Sequence, residues 1–255
     1  MLQERNRRKG PSMTTGFIPP PPAGLTVTTS DTISLAHGIK MLAYGRSGIG
    51  KTRLMATLPK IQVKDGGHGI VISAEAGLLS LRSTPVPIIE IKSLDDLNRA
   101  HDYLSGPAGN HFWSIGIDSI SEIAEKVLSN AKAGTKDGRQ AYGQLADQMW
   151  ITIRALRDIK GKNVVMTAKA EYNKDENGVT RWGPSMPGKT LTQGLVYFFD
   201  EVFHLGAYRG VQGEHISLQT KADMTYEAKD RSGSLDFFEY PDLTAIFNKI
   251  YGYVG

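Results

Sequence analysis

Eight consecutive residues, Gly45-Arg46-Ser47-Gly48-Ile49-Gly50-Lys51-Thr52, run glycine, four residues, glycine, lysine, threonine. That spacing is the pattern of a phosphate-binding loop. The glycines let the backbone curl, so that successive N–H groups and the start of a following helix face an anion. Lys51 has the reach to meet β- and γ-phosphate oxygens, and the Thr52 hydroxyl is a hard oxygen ligand suited to Mg2+. ATP with magnesium is therefore the expected cofactor. A glycine turn arising by chance is the other reading, but it would not call for the strand before and the helix after that the sequence also offers.

A metal ion at such a loop needs a carboxylate from the end of a neighbouring buried strand. The run Phe112-Trp113-Ser114-Ile115-Gly116-Ile117-Asp118 supplies Asp118, which would hold magnesium through water. Aspartate also caps helices, so the same residue could instead open a helix at Ser119. The attacking water needs a further carboxylate to orient it, and Glu75, ending the apolar run 70–74, is the candidate. Its strand is expected to lie next to the strand that carries the phosphate loop. A solvated acid at a strand end is the alternative.

The elements that must position these groups alternate. Strand-like runs are expected at 39–44, 70–74, 88–91, 113–117 and 163–168, with later ones at 202–205, 215–219 and 224–228. Helices are expected at 51–58, ended by Pro59, at 93–104 with Ser93 as cap, and at 242–250. Leu145, Met149, Ile153 and Leu156, spaced by four, four and three, share one face of a helix running to about 159. The alternation predicts an α/β domain over 25–255, with a mostly parallel sheet flanked by helices and late antiparallel strands.

Residues 1–24 combine a basic cluster with Pro19 to Pro22 and lack a hydrophobic period, so a flexible, solvated tail is expected there. Of the net charge of +4, Arg5, Arg7, Arg8 and Lys9 against Glu4 account for three charges, leaving the body close to neutral. Bulk charge therefore argues little about nucleic acid. The absence of cysteine excludes disulfides, thiolate zinc sites, iron–sulfur clusters and cysteine nucleophiles. No run reaches the roughly 18 apolar residues of a membrane span, so no membrane partner and a cytoplasmic location are expected. The six histidines show no helical three- or four-residue pairing that would suggest a metal cage.

Together these residues resemble the RecA-like P-loop ATPase core. Ala74-Glu75 followed by a small residue and Leu78 is similar to the strand-end glutamate motif of bacterial RecA, and Asp118-Ser119 to its magnesium-binding strand end. In helicase-loader and AAA+ ATPases a glutamate directly follows the magnesium aspartate; Ser119 stands there here, which argues against that branch. Lys229-Asp230-Arg231-Ser232-Gly233 is similar to the Lys-Asn-Arg-Phe-Gly motif of RadA-type proteins, with Asp and Ser in place of Asn and Phe. The resemblance implies that Lys229 and Arg231 contact a neighbour's nucleotide across a subunit interface; an exposed charged turn is the alternative. It also implies a polar γ-phosphate sensor near Thr167 and Lys169.

Size and architecture look most like the compact phage ATP-binding proteins of the fourth Sak group, single-strand annealing proteins with a RecA-like core. That resemblance implies recombination or annealing of DNA, a homo-oligomer in the form of a ring or filament, and a single-strand-binding protein as partner. Two segments fall where such cores place DNA loops. Residues 131–140 carry Lys132, Lys136 and Arg139, and residues 171–189 carry Tyr172, Lys174, Arg181, Trp182 and Lys189. Cations that track phosphates, interleaved with rings that stack on bases, suit single-stranded DNA. Mobile polar loops are the alternative. Two other functions stay open: an ATP-dependent loader or mediator acting on a protein partner, and a small-molecule kinase with the second segment as lid.

Overall fold

A computed structural model describes residues 21–25, 27, 37–58, 68–74, 78–84, 86–135, 137–174, 178–210 and 213–252. The expected flexible tail at 1–24 lies almost entirely outside them. Among the described residues ten strands form one sheet: β1 (Lys40–Gly45), β2 (His68–Ser73), β3 (Ile88–Glu90), β4 (Phe112–Asp118), β5 (Asn163–Lys174), β6 (Thr180–Ser185), β7 (Glu201–Gly210), β8 (Gly213–Gln219), β9 (Lys229–Asp230) and β10 (Phe238–Glu239). Six α-helices among the described residues accompany them: α1 (Lys51–Met55), α2 (Leu94–Ser105), α3 (Ile120–Gly134), α4 (Gly138–Arg157), α5 (Lys189–Leu195) and α6 (Leu243–Tyr251).

The sheet order is β10-β8-β7-β1-β5-β4-β2-β3, with β6 paired to β5 and β9 to β7. The strands from β3 through β7 in that order are parallel, and β6, β8, β9 and β10 are antiparallel additions. This is the mostly parallel α/β sheet with late antiparallel strands that the sequence pattern implies. One expected adjacency is wrong: β2 does not neighbour β1. Both β4 and β5 stand between them, because β5 inserts beside the phosphate-loop strand.

Alternation along β1 shows why the sheet is buried on both sides. Leu42 and Tyr44 enter a core shared with α3, α4 and α5, whereas Met41 and Ala43 enter one shared with α1 and α6. The expected Leu145, Met149, Ile153 and Leu156 stripe is fully buried in the first core. Helix starts follow their caps. Ser93 and Asp96 make a capping box on α2, and Asp242 accepts from the backbone of Thr244 and Ala245 on α6. Helix α1 is shorter than expected. Residues 224–228 form no strand; only an isolated bridge joins Tyr226 to Trp182.

The largest correction concerns residues 171–189. Strand β5 continues to Lys174 and turns back as β6, so this stretch is an antiparallel hairpin followed by α5, with Tyr172 opposite Trp182 and Asn173 opposite Arg181. Its polar composition hides a two-residue alternation that only cross-strand pairing reveals. The other segment, 131–140, is mostly the end of α3 and the beginning of α4. Helix α4 finishes near the start of β1, where the Lys40 ammonium donates to the carbonyls of Ile159 and Lys162. Its first turn, about 28 Å away at the usual helical rise, therefore lies toward the carboxyl end of the sheet.

At the opposite end of the sheet Glu201 is 1% exposed, and its Oε1 accepts from the Ser232 amide at 3.0 Å. Burial pushes its carboxyl up to about 8, with Asp230 and Asp200 adding to the effect against the Ser232 hydrogen bond. In the unfolded chain a glutamate titrates near 4.3. The native state therefore holds a proton that the unfolded state has lost, and stability falls as pH rises from about 5 through about 8. Urea unfolding should show a lower midpoint at pH 8 than at pH 5, and Glu201→Gln should flatten that difference. An identical pH slope in the variant would dismiss the assignment.

Candidate functional site

Strand β1 delivers the phosphate loop to the carboxyl end of the sheet, where Gly45 is still buried and Arg46, Ser47 and Gly48 emerge into solvent. Gly48 (φ 78°) and Gly50 (φ 107°) hold left-handed conformations that side-chain-bearing residues rarely adopt. The loop's glycine spacing thus has a backbone cause. The Lys51 ammonium donates to the carbonyls of Gly45 and Arg46, each at 3.0 Å, and so lies back against the loop.

Beneath the loop sits Asp118, 1% exposed at the end of β4. The Thr52 hydroxyl donates to its Oδ2 at 2.5 Å, and the Thr167 hydroxyl, from the intervening strand β5, donates to its Oδ1. The capping alternative for Asp118 is answered by its neighbour: Ser119 is the residue that caps α3, accepting from the Glu122 amide at 3.4 Å. A carboxylate and a hydroxyl side by side at the base of a phosphate loop are a hard-oxygen pair, which fits Mg2+. The orientation of Asp118 is set by Thr167, a residue the sequence had suggested only as a γ-phosphate sensor.

The loop and Thr52 border a cleft of about 930 Å3, whose lining also includes Ala74, Glu122, Lys126 and Lys169. Glu75, the expected water-orienting residue, lies outside the described residues. Its neighbour Ala74 reaches the cleft, and the Ala74 carbonyl accepts from Lys126 at 2.6 Å. Lys169 pairs with Glu122 at 3.4 Å and with Glu125. Partial burial works to lower the Lys169 pKa, but the two carboxylates outweigh it and hold the ammonium above its usual range. Glu122 and Lys126 were missed in the sequence. Their signal is the spacing from Asp118, four and eight residues on, which puts both on the first turns of the helix that follows it.

The candidate DNA residues divide into two groups. Tyr172, Lys174 and Trp182 share one face of the β5–β6 hairpin, while Arg181 points to the other. Trp182 does not face outward: the Arg46 guanidinium lies over its ring at 6.0 Å, which joins it to the phosphate loop. In the second group Lys132 lies over the ring of Tyr142 at 5.4 Å, and Tyr142 also packs beside Gly188, the residue before Lys189. Arg139 is exposed on the first turn of α4, and Lys136 lies outside the described residues. Tyr142 is a further aromatic residue that the sequence reading passed over.

Lys229 and Arg231 do not enter the cleft. Strand β9 pairs with Glu201 and Val202 at the start of β7, the end of the sheet away from the loop. There Lys229 donates to the Val196 carbonyl and Arg231 pairs with Asp200, both within the chain. Any contact they make with nucleotide must be to a neighbour's.

The profile of the AAA domain family matches residues 37–232. Ser119 after Asp118 therefore does not set the chain apart from AAA-type proteins, and its presence is explained by the cap on α3. No curated protein matches. Among solved structures, a KaiC-like protein from the hyperthermophilic archaeon Pyrococcus horikoshii OT3 is similar, at 14% identity and a TM-score of 0.44. The similarity covers 71% of this chain and 77% of that one. Among the described residues no helix is long and apolar enough to cross a membrane.

Because Thr167 fixes the Asp118 carboxylate, Thr167→Val should raise the Mg2+ concentration needed for half-maximal nucleotide binding by roughly 10–100-fold. A magnesium titration of the variant beside the wild type checks this. Coincident curves would show that Thr52 alone suffices to orient the carboxylate.

Proposed function

Since the chain belongs to the AAA domain family, and its phosphate loop and Thr52 line one cleft with Asp118 buried beneath and hydrogen-bonded to Thr52, we propose that this P-loop ATPase couples Mg-ATP hydrolysis to single-stranded DNA. Its output is recombination or strand annealing. The observation that carries the ATPase part is the hydrogen bond from Thr52 to the buried Asp118, which puts two hard oxygen ligands side by side at the base of the phosphate loop. Magnesium bound there supplies positive charge to the β- and γ-phosphate oxygens. Lys51 exchanges its bonds to the Gly45 and Arg46 carbonyls for bonds to phosphate. Glu75, following Ala74 at the cleft wall, orients the water and accepts its proton.

Two features support DNA as the coupled ligand. The β5–β6 hairpin carries Tyr172, 58% exposed, and Lys174 on the same face as Trp182, which meets the loop residue Arg46. Lys132, Tyr142 and Lys189 form a second cation-and-aromatic group toward the same end of the sheet. A strand bound across these groups would feel any shift of the phosphate loop through one hairpin. Assembly as a ring or filament, with Lys229 and Arg231 reaching a neighbour's nucleotide and a single-strand-binding protein as partner, completes this reading.

A loader or mediator acting on a protein partner is the second reading. Tyr240, 76% exposed, favours it, since it follows, after Glu239, the half-exposed pair Phe237 and Phe238 at the β10 edge. Steady-state ATP hydrolysis separates the two. Single-stranded DNA should raise the rate, and Lys51→Ala should lower it by at least about a hundredfold, the order expected for loss of a preorganised charge. Glu75→Gln should keep ATP binding and lose turnover. Lys51-dependent hydrolysis indifferent to DNA would favour the protein-partner reading. On the DNA reading, Tyr172→Ala should weaken oligonucleotide binding about tenfold, the loss of one stacked base, with ATP affinity unchanged; equal DNA affinity would remove the hairpin from the DNA site.

A further inference from the structure

On the β7 side of the phosphate loop lies a second cavity, of about 520 Å3. Arg46, Ser47 and Gly48 line both it and the magnesium-side cleft, so a ligand whose phosphates lie in the loop can extend into it directly. Its walls are aromatic. Trp182 comes from β6, and Tyr226 lies flat on His204, with ring centroids 3.9 Å apart and 12° between planes. Burial pushes His204 down to about 4, so its ring is neutral near pH 7 and adds no charge. Residues 205–207 of β7 form another wall. Strand β1 pairs with β7 only as far as Tyr44 opposite His204, whereas β7 runs on to Gly210. Among the described residues no strand pairs with the β1-facing edge beyond that point.

We propose that this cavity is a nucleobase site, taking the purine ring of the nucleoside triphosphate whose phosphates occupy the loop. Trp182 and Tyr226 are its stacking surfaces, and Arg46 closes over it. The proposal rests on the nucleotide reading of the loop. A flat, polarisable ring with a hydrogen-bonding rim suits two aromatic walls and an open strand edge. The single cation, Arg46, is a guanidinium, which stacks on π-faces; at 6.0 Å its contact with Trp182 is at the outer limit of such interactions and opens easily. A purine offers two fused rings to the walls where a pyrimidine offers one. A base from a DNA strand fits less well, because Lys132, Lys174 and Lys189, the cations placed to follow a strand's phosphates, do not line the cavity.

Calorimetric titration of the full chain with ATP, CTP and inorganic tripolyphosphate, each with magnesium, tests the assignment. Tripolyphosphate reports the loop without a base. The wild type should bind ATP about tenfold or more tighter than tripolyphosphate, and tighter than CTP. Trp182→Ala should lose that margin and leave tripolyphosphate affinity unchanged. If Trp182→Ala also loses tripolyphosphate, the variant is misfolded, and Tyr226→Leu must then show the selective loss or the proposal fails. A wild type that binds ATP no better than tripolyphosphate overturns it, as does a Trp182→Ala variant that weakens a thymidine oligonucleotide and spares ATP. A wild type that binds neither ATP nor tripolyphosphate overturns the phosphate-loop reading itself.

Discussion

The Asp118 carboxylate, held between two threonine hydroxyls, is the contact on which the rest of the site depends. Thr52 reaches it from the helix after β1, Thr167 from β5, and Asp118 itself ends β4, so three elements adjacent in the sheet meet at one buried group. A buried carboxylate without such donors would carry a large desolvation penalty. Satisfied on both oxygens, it instead fixes the height of the phosphate loop relative to the metal side of the cleft. The insertion of β5 between β1 and β4 makes this possible. Direct pairing of β1 with β4 would leave no strand to carry a hydroxyl to the second oxygen.

The same β5 goes on to build the hairpin, and so links the buried centre to the surface. Within twelve residues it passes from Thr167 at the carboxylate, to Lys169 held by Glu122 and Glu125, to exposed Tyr172. Beside it, the Tyr44 hydroxyl is shared between the carbonyls of Trp182 (2.9 Å) and Glu227 (2.6 Å), tying the hairpin and the segment before β9 to the phosphate-loop strand. Burial raises the phenol's pKa further, so it remains a donor. The aromatic wall of the second cavity is anchored by the residue directly before the loop's first glycine.

The parts of this arrangement legible in the sequence were those coded locally. Gly48 and Gly50 signal a loop that needs a permissive backbone, Ser93 caps its helix, and the Leu145 to Leu156 spacing declares a buried face. Asp118 was singled out because an apolar strand ending in a carboxylate is also a local pattern. What depends on strand order was not legible. The neighbour relation assumed for Glu75 failed because nothing in residues 70–75 records that β4 and β5 intervene. Thr167 could not be recognised as the brace of Asp118 without that order. The hairpin at 171–185 was missed for a related reason: Tyr172 and Trp182 support each other only across the pair, at a ring separation of 5.6 Å.

The cations around the loop show how a polyanion site coexists with a stable fold. Lys51 is bonded to loop carbonyls, Lys126 to the Ala74 carbonyl, and Lys169 to two glutamates. None of these bonds is worth much alone, about 1 kcal/mol for a typical exchange against water and less for exposed ion pairs. Each nevertheless gives a partly desolvated ammonium a protein acceptor before any phosphate arrives. On the proposed reading, a triphosphate would replace these acceptors with more strongly charged ones, and the net gain would be the difference rather than the full attraction. Lys169 stands apart, since it must leave two carboxylates rather than neutral carbonyls. On the proposed triphosphate reading, Lys169 would be the last of the three to turn to a phosphate group, because Glu122 and Glu125 hold it back.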